Sequence, residues 1–190
     1  MRCKILIFTL LLLLAMTACK PNQLPADAEK KSEVSPASHD QLVAANNQAK
    51  VDAFFDASFK QFDRQPHALS QYKGKTVVAY FWATWCKSCV KEVPGLIELQ
   101  NQYKDKNVQF IGVAIDNSDK VEKFAKDNAI PYPILIGGDD AMALAKKLGD
   151  LVGGLPFMVV IDKNGKLVDK ILGEIPEGKL EQVLIKIAAI

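Results

Sequence analysis

The sequence predicts an α/β sandwich, a mixed central sheet flanked by helices, and three observations predict it. Thr76 to Trp82 (TVVAYFW) and Val108 to Ile115 are almost continuously apolar, the pattern of strands covered on both faces. Segments of helical periodicity follow them, so these strands are joined by crossovers and run parallel. Asp162-Lys163-Asn164-Gly165 then divides two further strand-like runs with the Asn-Gly pair that tight hairpins favour, adding an antiparallel pair.

Each element has a local reason. Phe54, Phe55, Phe59 and Phe62 lie in a polar stretch that closes on Tyr72-Lys73-Gly74-Lys75, suggesting a short hairpin or extended entry segment. After the Thr76 strand, Lys87 to about Lys104 reads as a helix with Leu96, Ile97, Leu99 and Tyr103 inward; Pro94 lacks an amide donor and is expected to bend it. Val108 to Ile115 is the second buried strand, and Asp119 to Asn128 a helix with Val121, Phe124 and Ala125 at helical spacing, capped by Ser118 or Asp119. Ile134-Leu135-Ile136 is extended, and Asp139 to Leu148 is helical. Phe157 to Ile161 and Lys166 to Leu172 form the hairpin. Glu177 to Ala189 closes the domain with Leu180, Val183, Leu184 and Ile187 on one face.

The N-terminus is of another kind. Arg2 and Lys4 precede the apolar run Ile5 to Met16, too short for the roughly 20 residues of a membrane span but suited to a secretory signal. Met16-Thr17-Ala18-Cys19 resembles the bacterial lipobox, with Met16 where Leu is usual, which implies cleavage after residue 18 and lipidation of Cys19. Lys20 follows, and the absence of Asp there resembles an outer-membrane address under Gram-negative sorting rules. Residues 19–50, with Pro21, Pro25 and Pro36 among small and polar residues, read as a flexible tether whose Asp40 to Lys50 part favours helix. Residues 51–190, about 140 in number, are the size of one domain.

Composition narrows the function. With 49% hydrophobic and 24% charged residues the chain can build a core, and its formal charge of +2 belongs to the signal, since Arg2 and Lys4 leave with it. A near-neutral mature chain excludes a nucleic-acid protein held by bulk positive charge. An exported chain meets oxidants, so its paired cysteines are read as disulfides or redox pairs.

Trp85-Cys86-Lys87-Ser88-Cys89 stands where the first buried strand gives way to a helix. A Cys at a helix N-terminus lies near unpaired amides and the positive end of the dipole, so its thiolate is stabilised. Cys89, one turn on, is close enough to close a small disulfide. The outer thiolate attacks a substrate disulfide and the inner thiol resolves the mixed disulfide. Zinc is a weaker reading, because His39 and His67 are the only further ligands of that kind after maturation. A purely structural disulfide across two intervening residues restricts the unfolded chain little.

Phe81 to Cys89 (FWATWCKSC) resembles the active-site segment of the thioredoxin superfamily, specifically its TlpA/ResA-like extracytoplasmic thiol-disulfide oxidoreductases. The similarity covers about residues 51–190 and implies a thioredoxin-like fold with an N-terminal extension. Residues 131–148 resemble the central helical insertion of that branch. Gly154-Leu155-Pro156 is similar to the family's cis-proline loop, so Leu155 and Pro156, with Trp85, are expected to bind substrate. Cys86 and Cys89 are the implied redox disulfide. Glu92, three residues after Cys89, matches the acidic residue under the dithiol and is expected to take the proton of Cys89. Tyr80 occupies the position where minimal thioredoxins carry a buried Asp.

The function expected is reduction of disulfides in exported proteins, apocytochrome c before haem attachment among them. The partners are protein thiols and disulfides, a membrane electron donor, and a membrane reached through the lipid anchor, with the protein monomeric and facing the periplasm or another extracytoplasmic space. No cofactor or metal is called for. The alternatives are a disulfide-donating oxidase, a non-catalytic lipoprotein binding module, and a peroxiredoxin-like peroxidase. The last expects Thr three residues before its peroxidatic Cys, whereas Thr84 is two before Cys86.

Overall fold

The computed structural model describes residues 38–188. The expected signal, the expected lipidation at Cys19 and the expected tether up to residue 37 lie outside the described residues. Among the described residues no helix is long and apolar enough to cross a membrane.

Helix α1 (His39–Phe55) opens the described chain. Ser38 and Gln41 form a reciprocal capping box at its start, satisfying amides that have no helical partner. Only its last turn is buried, through Val51, Phe54 and Phe55. The sequence groups Phe54 and Phe55 with an extended entry segment, but they end this helix, whose earlier turns are largely exposed, Leu42 and Val43 included. The expected hairpin begins just after, as β1 (Ser58–Lys60) and β2 (Pro66–Ala68).

Five further strands complete the sheet: β3 (Thr76–Trp82), β4 (Val108–Ala114), β5 (Ile134–Ile136), β6 (Phe157–Ile161) and β7 (Leu167–Leu172). The order across the sheet is β2-β1-β5-β4-β3-β6-β7. The β3–β4 and β4–β5 pairs are parallel, while β6 adds antiparallel to β3 and β7 antiparallel to β6, so the sheet is mixed as the sequence predicts. Every residue of β3 is buried, because both faces of the sheet are covered.

Alternation along the central strands divides the core. Val78, Tyr80 and Trp82 point to one face and pack with α2 (Lys87–Tyr103), α3 (Ser118–Asp127) and α5 (Lys179–Ala188). Val77, Ala79 and Phe81 point to the other, against α1 and α4 (Gly138–Leu148). Gly112 on β4 makes room for this packing, since a side chain there would strike the Ile134 side chain and the Trp82 indole. Helix α2 continues through Pro94 as one element. The α3 cap is Asn117 rather than Ser118 or Asp119, its Oδ1 accepting the Asp119 and Lys120 amides. At the β6–β7 turn Gly165 has φ +77°, the left-handed conformation that an Asn-Gly hairpin uses.

Candidate active site

The site forms at one end of β3, where the strand must stop and a helix begin. Ala83, Thr84 and Trp85 make the turn, and Cys86 is the N-cap of α2. Its Sγ accepts the Cys89 amide at 3.2 Å, so the sulfur occupies the place that a capping oxygen usually fills. No acidic residue lies in the first turn of α2, leaving the dipole's positive end uncompensated beside that sulfur. Cys86 and Cys89 are joined in a disulfide, their Cα atoms 5.2 Å apart. Cys86 keeps 7% of its surface exposed and Cys89 none, so incoming reagents meet Cys86. Ser88 Oγ lies 3.5 Å from Cys86 Sγ and can donate to it.

The turn before Cys86 is held from a distant part of the chain. Asp116, just past β4, accepts the Thr84 amide at 2.9 Å and the Thr84 hydroxyl as well. Partial burial pushes the Asp116 carboxyl up, but the hydrogen bonds from Thr84 and Asn117 and the nearby Lys120 charge outweigh it and hold the carboxyl below its usual range. The Thr84 hydroxyl is thereby engaged with Asp116.

Pro156 precedes β6, and the Phe81–Phe157 pair places it beside the end of β3 that leads to Cys86. The Leu155–Pro156 bond is cis. The Pro156 carbonyl accepts the Gly173 amide at 2.8 Å, tying the loop to the end of β7. Around this end of the sheet Trp85 is 64% exposed, and Leu151 and Val152, in the loop before Pro156, are 86% and 78% exposed. Trp82, by contrast, is in the core against Phe124, with ring centroids 5.3 Å apart.

Glu92 is half-buried beneath the disulfide helix turn. Its Oε2 accepts the Tyr80 hydroxyl at 2.7 Å, and its Oε1 the Ile175 amide at 2.6 Å. The same Tyr80 hydroxyl lies 3.2 Å from the Cys89 carbonyl oxygen. Burial pushes the Tyr80 phenol far above its ordinary value, and the neighbouring Glu92 adds to this, so the hydroxyl stays protonated. Glu92 also borders an open groove of about 440 Å³ between α2 and the approach to α5, with Leu96, Leu99, Ile175 and Pro176 in its walls.

Three groups escaped sequence reasoning. Asp116 and Thr84 are 32 residues apart, and Glu92 and Ile175 are 83 apart, separations that periodicity does not reveal. Asp150 is fully buried; its Oδ1 accepts the Gly153 and Gly154 amides at 2.9 and 3.1 Å, shaping the loop that carries Leu151 and Val152. An Asp before a Gly pair was the available signal for such an Asx-type turn. Among the described residues no group of His, Cys, Asp and Glu side chains could hold a metal ion.

Known proteins are similar to this chain in sequence and fold. The Redoxin family model matches residues 44–184. The thiol-disulfide oxidoreductase ResA of Bacillus anthracis is 40% identical over 120 residues, covering 63% of this chain and 67% of that protein. A putative thiol:disulfide interchange protein DsbE from Chlorobium tepidum superposes with a TM-score of 0.61 at 27% identity, over 70% of this chain and 93% of that one. A thioredoxin-family thiol:disulfide interchange protein from Chlorobium tepidum TLS shares the fold with a TM-score of 0.63 at 24% identity, over 70% of this chain and 92% of that one. With a Cys-Lys-Ser-Cys disulfide at the head of α2, the chain belongs to the Redoxin family as a thioredoxin-like thiol-disulfide oxidoreductase of the ResA type.

Proposed function

We propose that the protein is an extracytoplasmic reductase that returns disulfides in exported proteins to thiols, with apocytochrome c before haem attachment a candidate substrate. The unequal exposure of Cys86 and Cys89 at the N-terminus of α2 carries this reading. In the reduced enzyme the Cys86 thiolate attacks one sulfur of the substrate disulfide. That bond breaks, a Cys86–substrate mixed disulfide forms, and the first substrate sulfur leaves as a thiolate that takes up a proton. Cys89 then gives its proton to the Glu92 carboxylate, and the resulting thiolate attacks Cys86 Sγ. The second substrate thiolate departs, two electrons have passed to the substrate, and the enzyme is left as the disulfide.

Trp85, Leu155 and Pro156 hold the substrate chain beside Cys86. A membrane dithiol donor restores the reduced state. Lipidated Cys19 anchors the monomer to the membrane, the outer one in a Gram-negative cell. The N-terminal signal and lipobox-like sequence support this location, and [³H]palmitate incorporation that disappears in Cys19→Ala is the expected result. The hydrogen bonds from Thr84 to Asp116 speak against a peroxidase, which needs its Thr hydroxyl turned to the peroxide.

Trapping tests the reading. Cys89→Ala should accumulate mixed disulfides with exported proteins through Cys86, visible as reductant-sensitive bands, and Cys86→Ala should not. Equal absence of trapped partners in both variants would favour a non-catalytic binding module.

A further inference from the structure

We propose that Tyr80 is a positioning residue for proton transfer, its hydroxyl hydrogen alternating between Glu92 and the Cys89 carbonyl as Glu92 gains and loses the proton of Cys89. The inference rests on the reading of Glu92 as proton acceptor. One hydroxyl hydrogen faces two acceptors, Glu92 Oε2 at 2.7 Å and the Cys89 oxygen at 3.2 Å. With Glu92 ionised, the hydroxyl donates to the carboxylate, the shorter and charge-assisted bond. Once Glu92 has taken a proton, the carboxylic acid donates to the Tyr80 oxygen, and the hydroxyl turns to the Cys89 carbonyl. Tyr80 is neutral in both states, so one proton moves from Cys89 to Glu92 and no other charge changes. Ile175 keeps Oε1 fixed throughout, leaving Oε2 as the oxygen that exchanges its partner.

The position gives this arrangement its meaning. Tyr80 sits on β3, and its long neutral side chain reaches across to an acid on α2. A Phe would fill the same apolar space but leave Glu92 Oε2 without its donor. The other titratable groups around the pair are Lys91 and Glu98 on α2, Glu177 and Glu181 at the approach to and start of α5, and Glu174, which pairs with Lys91 at 3.9 Å on the surface. Tyr132 faces Tyr80 from the segment before β5.

The test is the pH dependence of the limiting closure rate of the reduced full-length protein at saturating glutathione disulfide, where resolution by Cys89 rather than attack by Cys86 sets the rate, followed by stopped-flow tryptophan fluorescence. Resolution passes the proton of Cys89 to the Glu92 carboxylate, so its rate has an acid limb. The Tyr80 hydroxyl is a hydrogen-bond donor to Glu92 Oε2 that a Phe side chain lacks. Tyr80→Phe should therefore move the acid limb upward by about one pH unit, Glu92→Gln should abolish the limb, and adding Tyr80→Phe to Glu92→Gln should change nothing more. A folded Tyr80→Phe protein with an unmoved limb overturns the inference while leaving the role of Glu92 intact. A limb that survives Glu92→Gln overturns both. If Tyr80→Phe folds poorly, the ¹³Cζ resonance of Tyr80 in the wild-type protein decides: it should shift with the midpoint of the acid limb, and a flat signal across that range refutes the alternation.

Discussion

The two cysteines of the disulfide are one helical turn apart, yet the regions on either side of them differ in kind. On the outer side Cys86 has Ser88 beside it and exposed Trp85 before it, its sulfur at a helix N-cap, while Leu151 and Val152 before Pro156 are also exposed. On the inner side Cys89 has no exposed surface; its carbonyl meets the Tyr80 hydroxyl, which in turn donates to Glu92, held also by the Ile175 amide. A symmetric pair of thiols would have no reason to react in order. The asymmetry separates two tasks: recognition and first attack need access and a stabilised thiolate, whereas resolution needs a place for a proton. The lower dielectric of the inner side strengthens each hydrogen bond there and makes an unpaired group costly.

Changes on the inner side should have the larger chemical effect. Glu92→Gln keeps the shape and one accepting oxygen but turns the other into a donor and removes the proposed base, so resolution should slow by about 10²-fold while mixed-disulfide formation through Cys86 changes little. Burst kinetics with a protein disulfide separate the two steps; equal slowing of both would erase the division between the sides. On the outer side Trp85→Ala should act mainly on KM, raising it by about tenfold, with kcat nearly unchanged. A fall in kcat alone would place Trp85 in the chemistry rather than in binding.

Much of this comparison was legible in the sequence, and the reason lies in which signals are local. The apolar β3, β4 and β6 runs, the Asn-Gly hairpin and the Cys-Lys-Ser-Cys helix start each carry their meaning within a few residues, and the structure has them in those roles. Glu92 was legible as a neighbour of Cys89 through helical spacing alone. The partners of Glu92 were not, because Tyr80 comes from the strand before the turn and Ile175 from the far end of the chain. Helix α1 was half legible: its alanines favour helix, but the burial of Phe54 and Phe55 depends on α4 and the sheet lying above them. Its Ser38–Gln41 capping box is a local signal of the helix start.

Smaller effects sharpen the contrast by touching neither sulfur's partners. Asp116 braces the turn before Cys86, and its carboxyl is held below the usual range. Its contribution to stability is fully present above the unfolded Asp value of about 3.9 and is lost as pH falls through the folded value. Asp116→Asn should therefore lower stability by about 1 kcal/mol near neutrality, with the gap to wild type closing below about pH 4; urea unfolding at several pH values measures it, and a gap independent of pH would assign the loss to packing. Ser38→Ala should cost at most about 1 kcal/mol, and leave both exchange steps untouched. A change in either rate would reveal a coupling between α1 and the disulfide that the arrangement of the two does not suggest.

The central claim is that this asymmetric dithiol works as a reductant, and the reduction potential of the Cys86/Cys89 pair tests it most directly. The protein is equilibrated in defined thiol-disulfide buffers, its free thiols are alkylated, and the reduced fraction is read by mass. A potential near that of thioredoxin, about −270 mV, is the result expected of a donor of electrons. One near about −120 mV, the range of a strong disulfide donor, would contradict the claim and reverse the direction of exchange.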